Sequence, residues 1–415
     1  MPSNLRHSSH VFSRRASLLA MSGIASALTG TLAGAATDST TTINWDKIAQ
    51  EFLMDRSLLY LNTGTLGATP KSVVEARCAL GQRLESNPAG EGFGSILQEA
   101  EAVIPKIADL IGCSAKEATV TRNTTEGMNF IAEGINLQAG QRVLVSNHEH
   151  PGGLRAFQFL KKTRGVEIDV AEIHSPPQSE DEVVDSFRKV IQPKTRVIMC
   201  SYVHFSNGLR TPIARLSELA HQHGCLMVVD GAQASGGVAV NVKELGCDAY
   251  ASSGHKFLLG PKGTGILYIN EQARDQITPM QLDDGLGFYT AIRGTSSMPE
   301  VIGLGAVLDW TRQIGRSAVF DRLMSLRNML YSVLEKTPHV TPRSPPPGSS
   351  MASQLVCFSV DDRDRHEKLK EQFTQNKVLV RGVNIDGVDF RLSVHLYNTE
   401  ADIARFEEIL LKGVT

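Results

Sequence analysis

From about residue 73 to 310, short apolar runs alternate with stretches whose apolar positions recur at helical spacing. "ATVTRN" precedes a helix-like stretch from Thr124, "QRVLVSN" precedes "GGLRAFQFLKKT", and "TRVIMCSYV" leads into "PIARLSELAHQHG". "CLMVVDGAQ" is followed by a helical pattern through "NVKELG", then by "AYASSG" and "TGILYIN". Strands that are apolar throughout, each separated from the next by a helix, are what a sheet covered on both faces requires. The pattern predicts one large α/β domain over residues 73–312, built on a mostly parallel sheet. "TPHVTPRSPPPGSS", residues 337–350, interrupts it with proline and serine after a helix. Beyond that break, "QLVCFSV", "DRHEKLKEQFTQ", "VLVRG", "DFRLSVHL" and "NTEADIARFEEILLKG" predict a smaller α/β domain over residues 313–415. Residues 37–72 are left as an N-terminal segment.

The first 36 residues follow a different pattern. "SRRASLLAMSGIASALTGTLAGAA" joins Arg14 and Arg15 to a mildly apolar stretch and closes on Ala33-Gly34-Ala35, an A-x-A-like cleavage site. Leu18 to Leu32 is too short and too weakly apolar to span a bilayer, so no stable membrane anchor is expected. The arginine pair resembles a twin-arginine export signal, although Ser17 stands where that motif usually has Phe. It predicts a periplasmic or secreted protein whose mature chain begins near Ala36.

Composition narrows the function classes. The chain has 415 residues and a formal net charge of −2, without the basic excess of a general nucleic-acid binder. Its six cysteines include no C-x-x-C and spell no disulfide framework. Cys200, Cys225 and Cys357 lie in apolar runs and read as buried small hydrophobes.

Ligands of an open parallel sheet collect at the carboxyl ends of its strands. Asp230 ends the apolar run of "CLMVVDGAQ". "TVTRNTTEGMNF" ends a strand and opens a helix, with Asn123 and Glu126 spaced as a capping box. Free amides there, beside the Thr124 and Thr125 hydroxyls, make an anion site. "ASSGHKFLLGPKGTG" brings Ser252, Ser253, His255 and Lys256 into a glycine-rich turn. A phosphate site, a carboxylate and a lysine meet the needs of pyridoxal 5′-phosphate (PLP): the lysine forms the Schiff base, and the acid holds the proton of the ring nitrogen. Burial and nearby positive charge would keep that lysine partly neutral.

"VVDGAQASG" followed by "SSGHKFLLGPKGTGILY" closely resembles the class V aminotransferase family, which includes cysteine desulfurases and isopenicillin N epimerase-like enzymes. The resemblance runs over nearly the whole mature chain. It implies the fold-type I architecture and a homodimer with active sites at the subunit interface. It makes Lys256 the Schiff-base lysine, Asp230 the partner of the ring nitrogen and Gln233 the partner of the phenolic oxygen. It assigns Thr124, Thr125, Ser253 and His255 to the phosphate. In "SNHEHPGG" it points to His150, rather than His148, as the histidine stacked on the ring. Thr295, in "RGTSSMPE", would reach the phosphate of the neighbouring subunit. Asn207, in "HFSNGLR", would lie near the ring and substrate, and Arg391 would grip a substrate carboxylate.

One departure bears on the reaction. Desulfurases carry a nucleophilic cysteine on a loop shortly before that arginine; "VLVRGVNIDGVDFRLSV" has none. The expected activity is therefore PLP chemistry on an α-amino acid group through an external aldimine, by transamination or epimerization. Export makes the chain resemble the periplasmic PLP enzyme that modifies the glutamyl side group of the siderophore pyoverdine. Tailoring of a secreted peptide or metabolite is the leading reading, and a C–S lyase on a sulfur amino acid is the alternative. A non-catalytic PLP-fold module would need none of Lys256, Asp230 and Arg391. A metal hydrolase could draw on two H-x-H pairs (His148 and His150, His221 and His223), but no H-E-x-x-H occurs and Lys256 would go unexplained; no metal is expected.

Overall fold

The computed structural model describes residues 43–415, so the export signal expected over residues 1–36 lies outside the described residues. Ile43–Thr415 form one compact unit. At its centre are seven strands: β1 (Ala118–Thr121), β2 (Arg142–Ser146), β3 (Glu167–Ala171), β4 (Thr195–Ser201), β5 (Leu226–Asp230), β6 (Ala249–Ser253) and β7 (Gly265–Ile269). Their order across the sheet is β1-β7-β6-β5-β4-β2-β3. β2 to β6 pair in parallel, while β7 runs antiparallel to both β6 and β1. The fold is thus α/β of the fold-type I class. The reversal from β6 into β7 takes place over residues 254–264, which carry Lys256.

The continuous apolar runs have a direct cause. Side chains alternate faces along a strand, and in β5 Met227 and Val229 enter one apolar cluster while Leu226 and Val228 enter another. Both faces are covered, so neither set is polar. Each such side chain, fully buried, contributes about 1.5–3 kcal/mol relative to exposure. Helices α1 (Thr124–Gly134) and α2 (Pro151–Arg164) follow β1 and β2 and aim their N-termini at the carboxyl edge of the sheet.

After α3 (Met298–Ile314) and α4 (Arg316–Lys336) comes an antiparallel sheet of β8 (Val340–Pro342), β9 (Leu355–Val360), β10 (Arg381–Ile385) and β11 (Val388–Ser393), in the order β10-β11-β9-β8. α5 (Arg363–Gln375) and α6 (Glu400–Val414) share a separate apolar core with it, through Leu369, Phe373, Ile403, Phe406 and Leu410. Only the second half of "VLVRG" joins this sheet. Val378–Leu379 pairs in parallel with Leu59–Tyr60 instead, and Leu59 and Leu61 are buried in the carboxyl-terminal core. This pairing draws residues 61–67, "LNTGTLG", across the carboxyl edge of the central sheet. Among the described residues no helix is long and apolar enough to cross a membrane.

Candidate active site

Asp230 ends β5, and Lys256 follows the end of β6, the adjacent parallel strand in which Ala251 is the register partner of Asp230. Both groups therefore leave the same edge of the sheet. Asp230 is buried, and its Oδ1 accepts the Ala232 N–H at 2.9 Å. Burial pushes its pKa up, against the pull of that amide and of Lys256. Gly153, in the first turn of α2, permits the closeness: a Cβ there would lie 2.5 Å from Asp230 Oδ2.

Lys256 keeps some accessible surface, yet it is packed densely enough that desolvation brings its pKa down to about 8; Arg391 adds to the fall and Asp230 opposes it. Near neutral pH a useful fraction is already the nucleophilic free amine. The depression also costs stability. The folded value lies below the unfolded one, so the folded state binds fewer protons between about 8 and the ordinary lysine value of 10.5. Cofactor-free protein should become more stable as pH rises through that window. Lys256→Met should melt higher than cofactor-free wild type at pH 7, by a margin that shrinks toward pH 10.5; thermal denaturation across this range checks both.

On one side of Lys256 lies an anion cradle. Asn123 caps α1 by accepting the Glu126 N–H at 2.9 Å. The capping box expected from the spacing closes only halfway: the Glu126 carboxylate accepts the Arg122 N–H at 2.6 Å and Arg122 Nε at 2.7 Å, because that guanidinium draws it one residue back from Asn123. Thr124 N–H and Oγ1 meet Ser253 Oγ at 3.3 and 2.7 Å, tying α1 to the end of β6. Thr125 is exposed, and a Cβ on Gly152 would lie 2.7 Å from its Oγ1, so the N-termini of α1 and α2 meet here. His255 is half-buried and its Nδ1 has no partner. Burial, then Lys256 and Lys262, lower its pKa to about 4, leaving the imidazole neutral.

On the other side, His150 caps α2, its Nδ1 accepting the Gly152 N–H at 2.9 Å. Its ring meets Phe205 edge-on at 4.8 Å between centroids. His150 keeps an exposed edge, yet desolvation by the groups packed around it, then Lys256, Arg391 and Arg381, depress its pKa to about 4, so it too is neutral. His148 points elsewhere: it is buried, bonded to Ser206 Oγ at 2.8 Å and the Ile173 carbonyl at 2.9 Å. Gln233 donates to the Gly64 carbonyl at 2.8 Å while its Oε1 is buried without a partner. Arg391 is buried and donates to the Phe205 carbonyl at 3.2 Å and to Thr65 Oγ1 at 3.2 Å; its Nε is unpartnered. Desolvation lowers its pKa to about 10, which leaves it charged. Arg391→Gln should therefore cut kcat/KM for carboxylate-bearing substrates about 10²-fold, chiefly through KM; steady-state kinetics on holoenzyme measure it.

The two remaining assigned residues are Asn207 and Thr295. Asn207 is buried with its amide engaged inside the protein, Nδ2 donating to Ser175 Oγ at 2.7 Å and Oδ1 accepting the Leu209 N–H at 3.0 Å. It braces the loop that carries Phe205. Thr295 is exposed and lines a different cavity of about 650 Å³ with Arg122, Lys262, Arg293 and Glu300. The fold does not bring it to Lys256 of the same chain.

Residues 61–67 were missed as site residues. Gly67 N–H donates to the His255 carbonyl at 2.8 Å, and Gly64 N–H to Ser393 Oγ at 2.9 Å. A Cβ on Gly64 would lie 2.9 Å from Gln233 Oε1 and 3.0 Å from Arg391 Cζ, so only glycine lets this strip pass between them. The signal was the glycine–threonine alternation directly after "LLYLN". Glu149 was also missed. It is buried behind Asp230, accepts Ser146 Oγ at 2.6 Å and Ser201 Oγ at 2.6 Å, and has its pKa raised to about 7 by burial. It lies close to Cys200 and His204, the one such group of three potential metal ligands among the described residues, but its oxygens are held by these serines.

The donor set fits PLP. Three of the nine buried side-chain polar atoms without a partner among the described residues, His255 Nδ1, Gln233 Oε1 and Arg391 Nε, belong to this one site. Buried polar groups are rarely left unbonded, and these flank the Lys256–Asp230 pair: His255 Nδ1 and Arg391 Nε could donate to a phosphate and a carboxylate, and Gln233 Oε1 could accept from a phenolic O–H. The family model for aminotransferase class-V matches residues 60–406. The chain belongs to the class V aminotransferase family. As a family member it is a PLP-dependent enzyme, and one solved fold neighbour is described with glycine covalently linked to its PLP cofactor. It is 25% identical to an isopenicillin N epimerase of Streptomyces clavuligerus over 394 residues, covering 88% of this chain and 98% of that protein. It is 26% identical to a probable cysteine desulfurase of Methanothermobacter thermautotrophicus over 398 residues, covering 88% and 97%. In fold it is similar to a cystine C–S lyase solved with its product cysteine persulfide, at a TM-score of 0.77 and 23% identity over 86% of this chain and 98% of that one. A cysteine desulfurase of Thermococcus onnurineus aligns at a TM-score of 0.76 and 23% identity over 89% and 97%.

Proposed function

We propose that this class V aminotransferase acts on the α-amino group of a carboxylate-bearing amino acid, as an exported enzyme that tailors a secreted peptide or metabolite such as a siderophore by transamination or epimerization. The observation that carries the reading is a buried Arg391 beside a partly neutral Lys256, with no cysteine on the hairpin that leads to Arg391. Cys357, the register partner of Arg391 on the neighbouring strand, is buried with its pKa pushed up to about 12 and is inert as a sulfur acceptor.

Bound PLP supplies an electron sink for charge developing at the substrate α-carbon. The protein's own groups do the rest. Arg391 receives the carboxylate through a guanidinium fixed by Phe205 and Thr65, and so orients the α-carbon. Lys256 takes and returns the α-proton; a pKa near operating pH is what general acid–base work requires. Asp230, fixed by the Ala232 amide, holds a proton on the ring nitrogen. Neutral His150 offers a flat face without competing for that proton. Residues 61–67 exclude water between Gln233 and Arg391.

The family likeness to isopenicillin N epimerase favours proton movement at the α-carbon. A second reading, C–S lysis of a sulfur amino acid, is favoured by the same cysteine-free hairpin, because a lyase that expels its persulfide needs no acceptor thiol; a solved fold neighbour is a cystine C–S lyase. We also propose a homodimer in which Thr295 and the cavity around it face a second copy. Holoenzyme incubated with amino acids in deuterium oxide and followed by mass spectrometry tests the reaction. Deuterium at the α-carbon without change of composition means epimerization, and a 2-oxo acid with aminated cofactor means transamination. Pyruvate with a persulfide, sulfide or thiol transfers the assignment to the lyase, and no product from any amino acid contradicts both.

A further inference from the structure

The sheet face that carries Arg391 carries a second arginine. Arg381 on β10 lies directly opposite Arg391 on antiparallel β11. Directly opposed residues project from the same face, with Cβ atoms about 4.5–5.5 Å apart. The neighbours of Arg391 fix which face that is. Phe390 and Leu392 enter the core beneath α5 and α6, whereas Arg391 and Ser393 bond away from it, to Phe205 and Gly64. Arg381 is exposed, and its charge is felt at both His150 and Arg391, whose pKa values it helps to depress. It stands at the mouth of the site, outside the buried guanidinium.

Like charges opposed across a sheet are destabilising, and among the described residues of this chain no carboxylate is paired with Arg381 or Arg391. The two acids of the same hairpin lie elsewhere: Asp386 is 3.6 Å from His148 Nε2, a ring whose pKa burial lowers, and Asp389 accepts the Val360 N–H at 2.8 Å. Among the described residues Arg381 belongs to no ion pair. Asp230 is buried at the strand end, and Glu149 is enclosed by Ser146 and Ser201. One substrate carboxylate compensates Arg391 and leaves Arg381 without an anion.

We propose that Arg381 is a specificity-determining residue that binds a second carboxylate, so that the site prefers amino-acid groups bearing two carboxylates over those bearing one. This rests on the reading that Arg391 holds the first. Two substrate types share the chemistry: a glutamyl-like group with a side-chain carboxylate, and a cystine-like disulfide with a distal one.

Ligand binding to holoenzyme, read from the change in its visible absorption, tests this without requiring turnover. The probes are L-glutamate against L-glutamine, and L-cystine against the mixed disulfide of L-cysteine with cysteamine, which keeps the distal ammonium and lacks the distal carboxylate; within each pair the second carboxylate is the main difference. In at least one pair the dicarboxylate should bind about tenfold or more tightly, the scale of a charge-assisted contact. Arg381→Gln should bring that ratio close to one, and Arg381→Lys, which keeps the charge, should retain part of it. A preference in the glutamate pair assigns the side-chain spacing, and one in the cystine pair assigns the distal spacing. Ratios near one in both pairs for wild type, or a ratio that survives in Arg381→Gln, overturn the proposal. Arg391→Gln separates the levels: its weakened binding of all four probes supports the underlying reading, whereas wild-type binding by Arg391→Gln removes that reading and this one together.

Discussion

Lys256→Ala is expected to lower turnover by about 10³-fold or more and to abolish the visible absorption of the reconstituted protein. The first effect follows from the loss of the one group placed to move the α-proton, since a positioned acid–base typically contributes about 10²–10⁴-fold. The second follows from the loss of the one amine at this strand end whose pKa is brought to about 8 by burial. Folding is not at issue, because removing an amine that is desolvated in the folded state relieves a cost. A small primary amine added in solution should recover part of the proton-transfer rate in Lys256→Ala. It should do nothing for a protein that had merely unfolded.

Asp230→Asn is expected to cost about 10²–10³-fold in turnover, the scale for removing one preorganised charge from a buried site. The substitution is close to isosteric, and its Oδ1 can still accept the Ala232 N–H that holds Asp230 at 2.9 Å. What it removes is the negative charge, and with it the means of keeping a proton on the ring nitrogen. A second consequence has a definite sign. Asp230 raises the pKa of Lys256, so in Asp230→Asn the lysine should titrate below its present value of about 8. The rate at which cofactor-free protein takes up PLP rises as this amine deprotonates, so its pH midpoint should move down in the variant. A merely structural aspartate would leave that midpoint where it is.

The central sheet was legible because its strands are buried on both faces, which forces the continuous apolar runs at β4, β5 and β6. Asp230 and Lys256 were legible for the complementary reason: each breaks such a run at its carboxyl end, where a charge needs a partner. What remained hidden depends on contacts remote in sequence. The two-residue strand Leu59–Tyr60 has no periodicity to read, and its partner Val378–Leu379 lies more than three hundred residues on. The glycine of "TGTLG" declares a tight passage but not that Gln233 and Arg391 form its walls. The side-chain commitments of Asn207 and Glu126 follow from which partner lies nearest, the Ser175 hydroxyl as acceptor in one case and Arg122 as donor in the other. Arg381 looks like any exposed arginine until the register sets it opposite Arg391.

The most direct measurement is borohydride reduction of the PLP-loaded protein followed by peptide mass spectrometry. The visible band should bleach, and the mass of a reduced phosphopyridoxyl group should appear on the peptide that contains Lys256 and on no other. Protein that stays colourless when supplied with PLP, or a label that settles on a different lysine, would contradict the account.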